Sequence, residues 1–222
     1  LSFLSNINMN WKSQSVNAIK LPFSINEKDL LSLQGQIRNQ LYINRGGKFL
    51  EIQLGQLLTN TKWRLTTGAE IRIQNENFIR SRHRLNSHFN AENYVAFQFQ
   101  KNEAEFFKEK NLNVKNMIVE PTINYQYKQH IRLSTAYRYT YGEEIVSSIQ
   151  TNVHELRLEA TAQPASKWSF RSSCSQIWAS TTGRISTWNE FNLLHGLRSG
   201  GNTLVNLQVD RVLNNNTILR FG

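Results

Sequence analysis

Thr61 to Ile73 reads TKWRLTTGAEIRI. Trp63, Leu65, Thr67, Ala69, Ile71 and Ile73 alternate there with Lys62, Arg64, Thr66, Gly68, Glu70 and Arg72. Successive side chains of a strand point to opposite faces, so strict period-2 alternation marks β-structure with one apolar and one polar face. The alternation is also long. Strands of globular proteins usually run about 5–6 residues, whereas a strand crossing a bilayer at a tilt needs about 9–11.

The same pattern spreads outward from this stretch. Leu31, Leu33, Gly35, Ile37, Leu41 and Ile43 alternate with Ser32, Gln34, Gln36, Arg38 and Gln40. Gly46-Gly47 then make a tight turn, since both can adopt positive φ at no steric cost, leading into Leu50, Ile52 and Leu54. Thr59-Asn60 suggest a weaker turn before the next strand. Further on, Met117 to Tyr127 and Ile131 to Tyr141 alternate about a Lys128-Gln129 turn, and Tyr125, Tyr127, Tyr137, Tyr139 and Tyr141 gather towards one end of the apolar face. With Trp63 they are candidates for an interfacial aromatic girdle.

More strands are expected over Val153–Ala162, Trp168–Ala179, Ile185–Leu197, Thr203–Val212 and from Thr217 on, joined by short connections rich in turn residues. The expected fold is all-β, an antiparallel meander of about ten to twelve long strands forming a transmembrane β-barrel or part of one. Residues 1–30, which include Pro22, alternate poorly and read as an irregular N-terminal segment ahead of a barrel region over 31–222. Glu103 to Asn113, EAEFFKEKNLN, reads as a charged loop or short helix. The chain opens on Leu1 without a basic and apolar leader and stops inside TILRFG, which suggests a mature or trimmed segment with strand residues missing at the C-terminal end.

Composition is compatible with this architecture. The hydrophobic share is 39% and mean hydropathy is −0.50, too polar for spanning helices but not for strands that need only every second residue apolar. The net charge of +10 is spread through the chain, with Arg80 to Arg84, RSRHR, as its densest patch. Next to Phe78, Phe89 and Tyr94 this patch could suggest RNA stacking, but no nucleic-acid module accompanies it. A loop meeting an anionic envelope surface or a partner explains it more simply, and nucleic acid is not an expected partner.

Leu204 to Gly222, LVNLQVDRVLNNNTILRFG, and Val119 to Tyr139 resemble the closing strands of outer-membrane β-barrels of the Bacteroidota type, in which an Asn-rich tight turn joins the last hairpins. The resemblance implies a location in the bacterial outer membrane and further strand residues after Phe221-Gly222. It carries over no catalytic residue.

Chemistry is sparse. No nucleophile elbow, P-loop or dinucleotide fingerprint is present. The five histidines, His83, His88, His130, His154 and His195, form no metal-ligand motif, and Cys174 is a lone cysteine. His154 and Ser172 both fall on apolar strand faces, which makes a Ser–His dyad on a barrel exterior conceivable. No enzyme, cofactor or metal is expected. Lys62, Arg64, Glu70, Arg72, Arg132, Arg138, Glu155, Arg157 and Glu159 form the candidate lumen-facing set, either a salt-bridged filling or the lining of an anion-favouring pore.

Two functions fit. One is an integral outer-membrane barrel acting as a structural anchor or as a subunit of an envelope transport or secretion assembly, with outer-membrane lipid and other envelope subunits as partners. The other is a soluble all-β ligand-binding protein, lipocalin-like or a sandwich, whose apolar face points inward. Alternation alone does not distinguish inside from outside.

Overall fold

The computed structural model describes residues 1–14, 30–47, 49–65, 68–106, 108, 111–128, 130–145, 147–165, 168–183, 194, 196–214 and 217–221. Eleven strands lie among them: β1 (Ser2–Gln14), β2 (Leu30–Ile43), β3 (Leu50–Leu65), β4 (Gly68–Arg84), β5 (Phe89–Ala104), β6 (Leu112–Tyr127), β7 (Ile131–Glu144), β8 (Ile149–Ala165), β9 (Trp168–Thr182), β10 (Gly200–Asn214) and β11 (Thr217–Phe221). Each pairs antiparallel with its sequence neighbour in a single sheet ordered β1 to β11. The first ten strands are 13 to 17 residues long, more than enough to cross a bilayer at a tilt.

The sheet is curled. Side chains from β4 (Arg82, Arg84) and from β8 (Glu159, Thr161) line one recess, yet strands four apart in a flat sheet stand about 19 Å from each other. The concave face holds most of the buried positions, among them Ala96, Ile118, Ala136, Ile149 and Ile177. The convex face leaves Ile7, Ile79, Phe97, Ile123, Leu158, Val205 and Leu207 exposed.

The two ends of the sheet differ. At one end the connections span 44–49, 85–88, 128–130, 166–167 and 215–216; at the other they span 15–29, 66–67, 105–111, 145–148 and 183–199. All the longer connections fall at the second rim, beside two short ones, and a concentration of long connections at one rim is the asymmetry of barrels with two unlike aqueous faces.

Several elements depart from the sequence expectation for physical reasons. Residues 2–14, expected to be irregular, form β1 in full register with β2; Phe3, Ile7 and Met9 pair with Leu41, Ile37 and Gly35, and the outward Ser5 blurs their alternation. Thr59-Asn60 is not a turn, because β3 runs through it and pairs Thr59 with Gln74 and Asn60 with Ile73. β3 instead ends at Leu65, which pairs with Gly68 at the start of β4, so TKWRLTTGAEIRI covers two antiparallel strands and not one. The tight turn at Gly46-Gly47 spans 44–49, and its positive φ values fall on Asn44 (55°) and Gly46 (71°). The strand expected over 185–197 lies almost wholly outside the described residues.

Two prolines interrupt the ladders. The β6–β7 register omits residues 120 and 121 against 137 and 138, because Pro121 has no N–H to donate. The β8–β9 register shifts between Ala162 and Ala165, around Pro164. Gly55 admits a close contact on the concave face. The tip of the Phe78 ring lies where a Cβ on this residue would sit.

Candidate functional site

The concave wall is a grid of polar side chains set by register. Directly paired residues share a face, so Arg80, Tyr94, Glu120, Arg138 and Glu155 fall in one row across β4 to β8. The neighbouring row carries Arg82, Glu92 and Thr122.

Ion pairs link these rows. Glu92 takes Arg80 at 3.2 Å and Arg82 at 3.3 Å, and Arg138 approaches Glu120 at 2.7 Å. The Nε–H groups of Arg80 and Arg138 do not aim at their carboxylates, so these contacts are ion pairs without a directed hydrogen bond from that atom. Within β8, Arg157 donates to Glu155 at 2.9 and 3.0 Å. Glu76 accepts from the Tyr94 hydroxyl and from Gln98, both at 2.7 Å. The guanidinium of Arg80 also lies 5.3 Å from the Tyr94 ring centroid, within cation–π range.

The wall changes along the strands. Towards the long-connection end Leu112, Val114 and Ile149 pack together beside the buried Glu144 and Thr61. Towards the short-turn end it opens into a recess of about 430 Å³ whose lining includes Arg82, Arg84, Asn90, Asn124 and Arg132.

The candidate lumen-facing residues separate. Glu70, Arg72, Arg132, Arg138, Glu155, Arg157 and Glu159 occupy concave register positions; Arg72 donates to Asn102 at 3.1 Å. Lys62 does not: it pairs with Leu33 and Ile71 on the convex face. Arg64 pairs with Ala69 in the same convex register, and its side chain lies outside the described residues. The reason is the hairpin. Leu65 pairs with Gly68 and Trp63 with Glu70, so odd positions of β3 share a face with even positions of β4, and alternation counted straight through the turn changes sides.

Trp63 therefore belongs to the concave face and not to a girdle. The tyrosines occupy convex positions, but not at one end, because β6 and β7 run in opposite directions. Tyr125 and Tyr127 lie at the short-turn rim, where Phe89 packs on Tyr125 at 4.8 Å, Trp168 stacks on Phe170 at 6.0 Å, and Lys128 and Arg211 cover aromatic faces. Tyr139 and Tyr141 lie towards the other rim, and Tyr137 sits between. The convex face thus carries an aromatic group at the short-turn rim and further tyrosines along β7 among exposed aliphatic residues.

RSRHR, expected in a loop, is the end of β4, where Arg80, Arg82 and Arg84 all take concave positions. The strand was obscured because its faces are mixed: Asn75, Asn77 and Ser81 lie on the convex side, and Phe78 on the concave side. His154 and Ser172 do not meet. His154 pairs with Trp178 and Ser172 with Ala160, six positions along β8, and His154 instead shares a 2.7 Å hydrogen bond with the Tyr137 hydroxyl. Among the described residues no group of three His, Cys, Asp or Glu is placed to hold a metal.

No protein-family model matches the chain, and no curated protein does. Solved structures do. The ferric-catecholate import receptor Fiu of E. coli K12 matches in its closed form over 98% of this chain and 45% of its own, with 9% identity and a TM-score of 0.58. Its open form matches over 98% and 49%, with 9% identity and a TM-score of 0.56. The translocator domain of the autotransporter NalP from Neisseria meningitidis is a weaker likeness, with 9% identity over 96% of this chain and 77% of that one and a TM-score of 0.46. The fold is that of transmembrane β-barrels, and the chain spans about 45% of the length of the closed Fiu receptor.

Proposed function

We propose that this chain forms membrane-embedded wall of a β-barrel in the bacterial outer membrane, serving as a structural anchor or as a subunit of an envelope transport or secretion assembly. The carrying observation is the sidedness of the sheet. Aliphatic side chains stand exposed along its convex face, aromatic rings gather at its short-turn rim, and the charged rows occupy the concave face. Water disfavours such a band by about 1.5–3 kcal/mol for each large side chain, whereas hydrocarbon accepts it.

A soluble lipocalin-like barrel requires the reverse, an apolar interior and a polar exterior. The concave ion pairs at Glu92 and Glu120 run against that arrangement. Outer-membrane lipid is then the primary partner, with other envelope subunits as further ones, and no catalytic role is proposed.

Detergent dependence tests the reading. A β-type circular-dichroism spectrum that requires detergent or lipid, with slower gel migration after boiling, is the expected result. A monodisperse β-protein in plain buffer would overturn it.

A further inference from the structure

We propose that the concave wall at the short-turn end binds a small, multiply charged anion of the phosphate-ester or pyrophosphate kind, held chiefly by Arg84 and Arg132. The local charge is unbalanced. Arg80 and Arg82 share the single carboxylate of Glu92, leaving that trio with one positive charge in excess. Arg84 and Arg132 line the same recess, and neither has an ion pair among the described residues. Glu159 is the other carboxylate of the lining, so the recess as a whole is cationic.

Geometry turns excess charge into a site. Arg84 heads the row that continues through Asn90, Asn124 and Ser134 to Glu159 at its far end, and Arg132 lies in the next row between Gln126 and Thr161. Because the sheet is curled, guanidinium groups from β4 and β7 face one space with amide donors between them. A guanidinium offers a planar fork of donors suited to phosphate oxygens, and arginines lining a lumen are a known means of selecting anions and phosphates. A volume of about 430 Å³ exceeds an inorganic phosphate and falls within the range of small-ligand sites. The concave position favours a dissolved solute over a lipid headgroup, which would meet the convex face.

The test titrates pyrophosphate into the detergent-solubilised full chain by calorimetry, with acetate and phosphatidylglycerol micelles as separate arms. Saturable pyrophosphate binding is expected, with acetate and the lipid at least about tenfold weaker. Arg84→Gln and Arg132→Gln should each weaken pyrophosphate about tenfold or more, the scale of one lost charge-assisted hydrogen bond. The convex Arg211→Gln should leave it unchanged, and Glu92→Gln, which releases Arg80 and Arg82, should tighten it. Absence of saturable binding, a lipid preference, or equal weakening by all three arginine variants would overturn the site. It rests on the curl of the sheet and not on the membrane reading. A chain that needs detergent yet ignores pyrophosphate therefore loses the anion site alone.

Discussion

The convex and concave faces are built from the same alternating strands, yet they answer to different solvents. On the convex face, Ile123, Leu158, Val205 and Leu207 have little beside them but their own sheet and stand open. On the concave face, charges are close enough to bond one another, as at Arg138 and Glu120, and the fully buried apolar residues include small ones such as Ala96 and Ala136 and the Leu112 group. In a soluble β-protein the apolar face is the hidden one. Here it is the polar face that curls inward, so curvature supplies the inside-outside assignment that alternation lacks.

Breaking this contrast most severely means placing a charge in the middle of the convex band. Leu158→Arg should cost about 2–4 kcal/mol in lipid, as lipid-facing charges near the bilayer centre do, read as a lower urea midpoint for unfolding from vesicles. The adjacent concave substitution Glu159→Gln should leave that midpoint almost unmoved. A similar cost for both would mean that the faces share one environment.

An intermediate effect is expected where the concave wall is tightly fitted. Gly55→Val should displace the Phe78 ring from its seat and destabilise by about 1–3 kcal/mol, the usual cost of overpacking. The same unfolding series measures it, and Gly35→Val on the convex face, where a Cβ meets nothing within 4 Å, is the matched control. Glu120→Gln removes the contact with Arg138 in a half-exposed setting and should cost about 1 kcal/mol or less, shrinking as salt is added.

The smallest effect is expected at the rim. Lys62→Leu changes a convex charge close to the β3–β4 turn, where a long side chain reaches water, and its cost should stay near 0–1 kcal/mol. Set beside Leu158→Arg, it turns the contrast between faces into a depth profile.

Much of the architecture was legible because a half-exposed strand must alternate. β2, β6 and β7 keep mostly aliphatic or aromatic residues on one face, with single exceptions such as Asn39 and Thr135 within the run, and each was readable from sequence. β1 and β4 were not, because Ser5, Asn75 and Asn77 stand on the convex side while Leu4 and Phe78 stand on the concave one. The sides of charged residues were less legible than the strands. A turn shifts parity by its own length, and nothing in TKWRLTTGAEIRI marks the end of β3 at Leu65, so Lys62 and Glu70 look alike in sequence and part in the structure. The recess was illegible for a related reason: Arg84 and Arg132 lie 48 positions apart in sequence and meet only through curvature and the pairing of β4 to β7.

Cys174 reports on the solvent of the convex face, since it is the single cysteine of the chain and sits mid-strand on that face between Leu158 and Val205. A fluorophore coupled there in denaturant, followed by folding into lipid vesicles, should be quenched by lipids brominated along their chains and shielded from aqueous iodide. Quenching by iodide with no response to the brominated lipids would place the convex face in water and contradict the account.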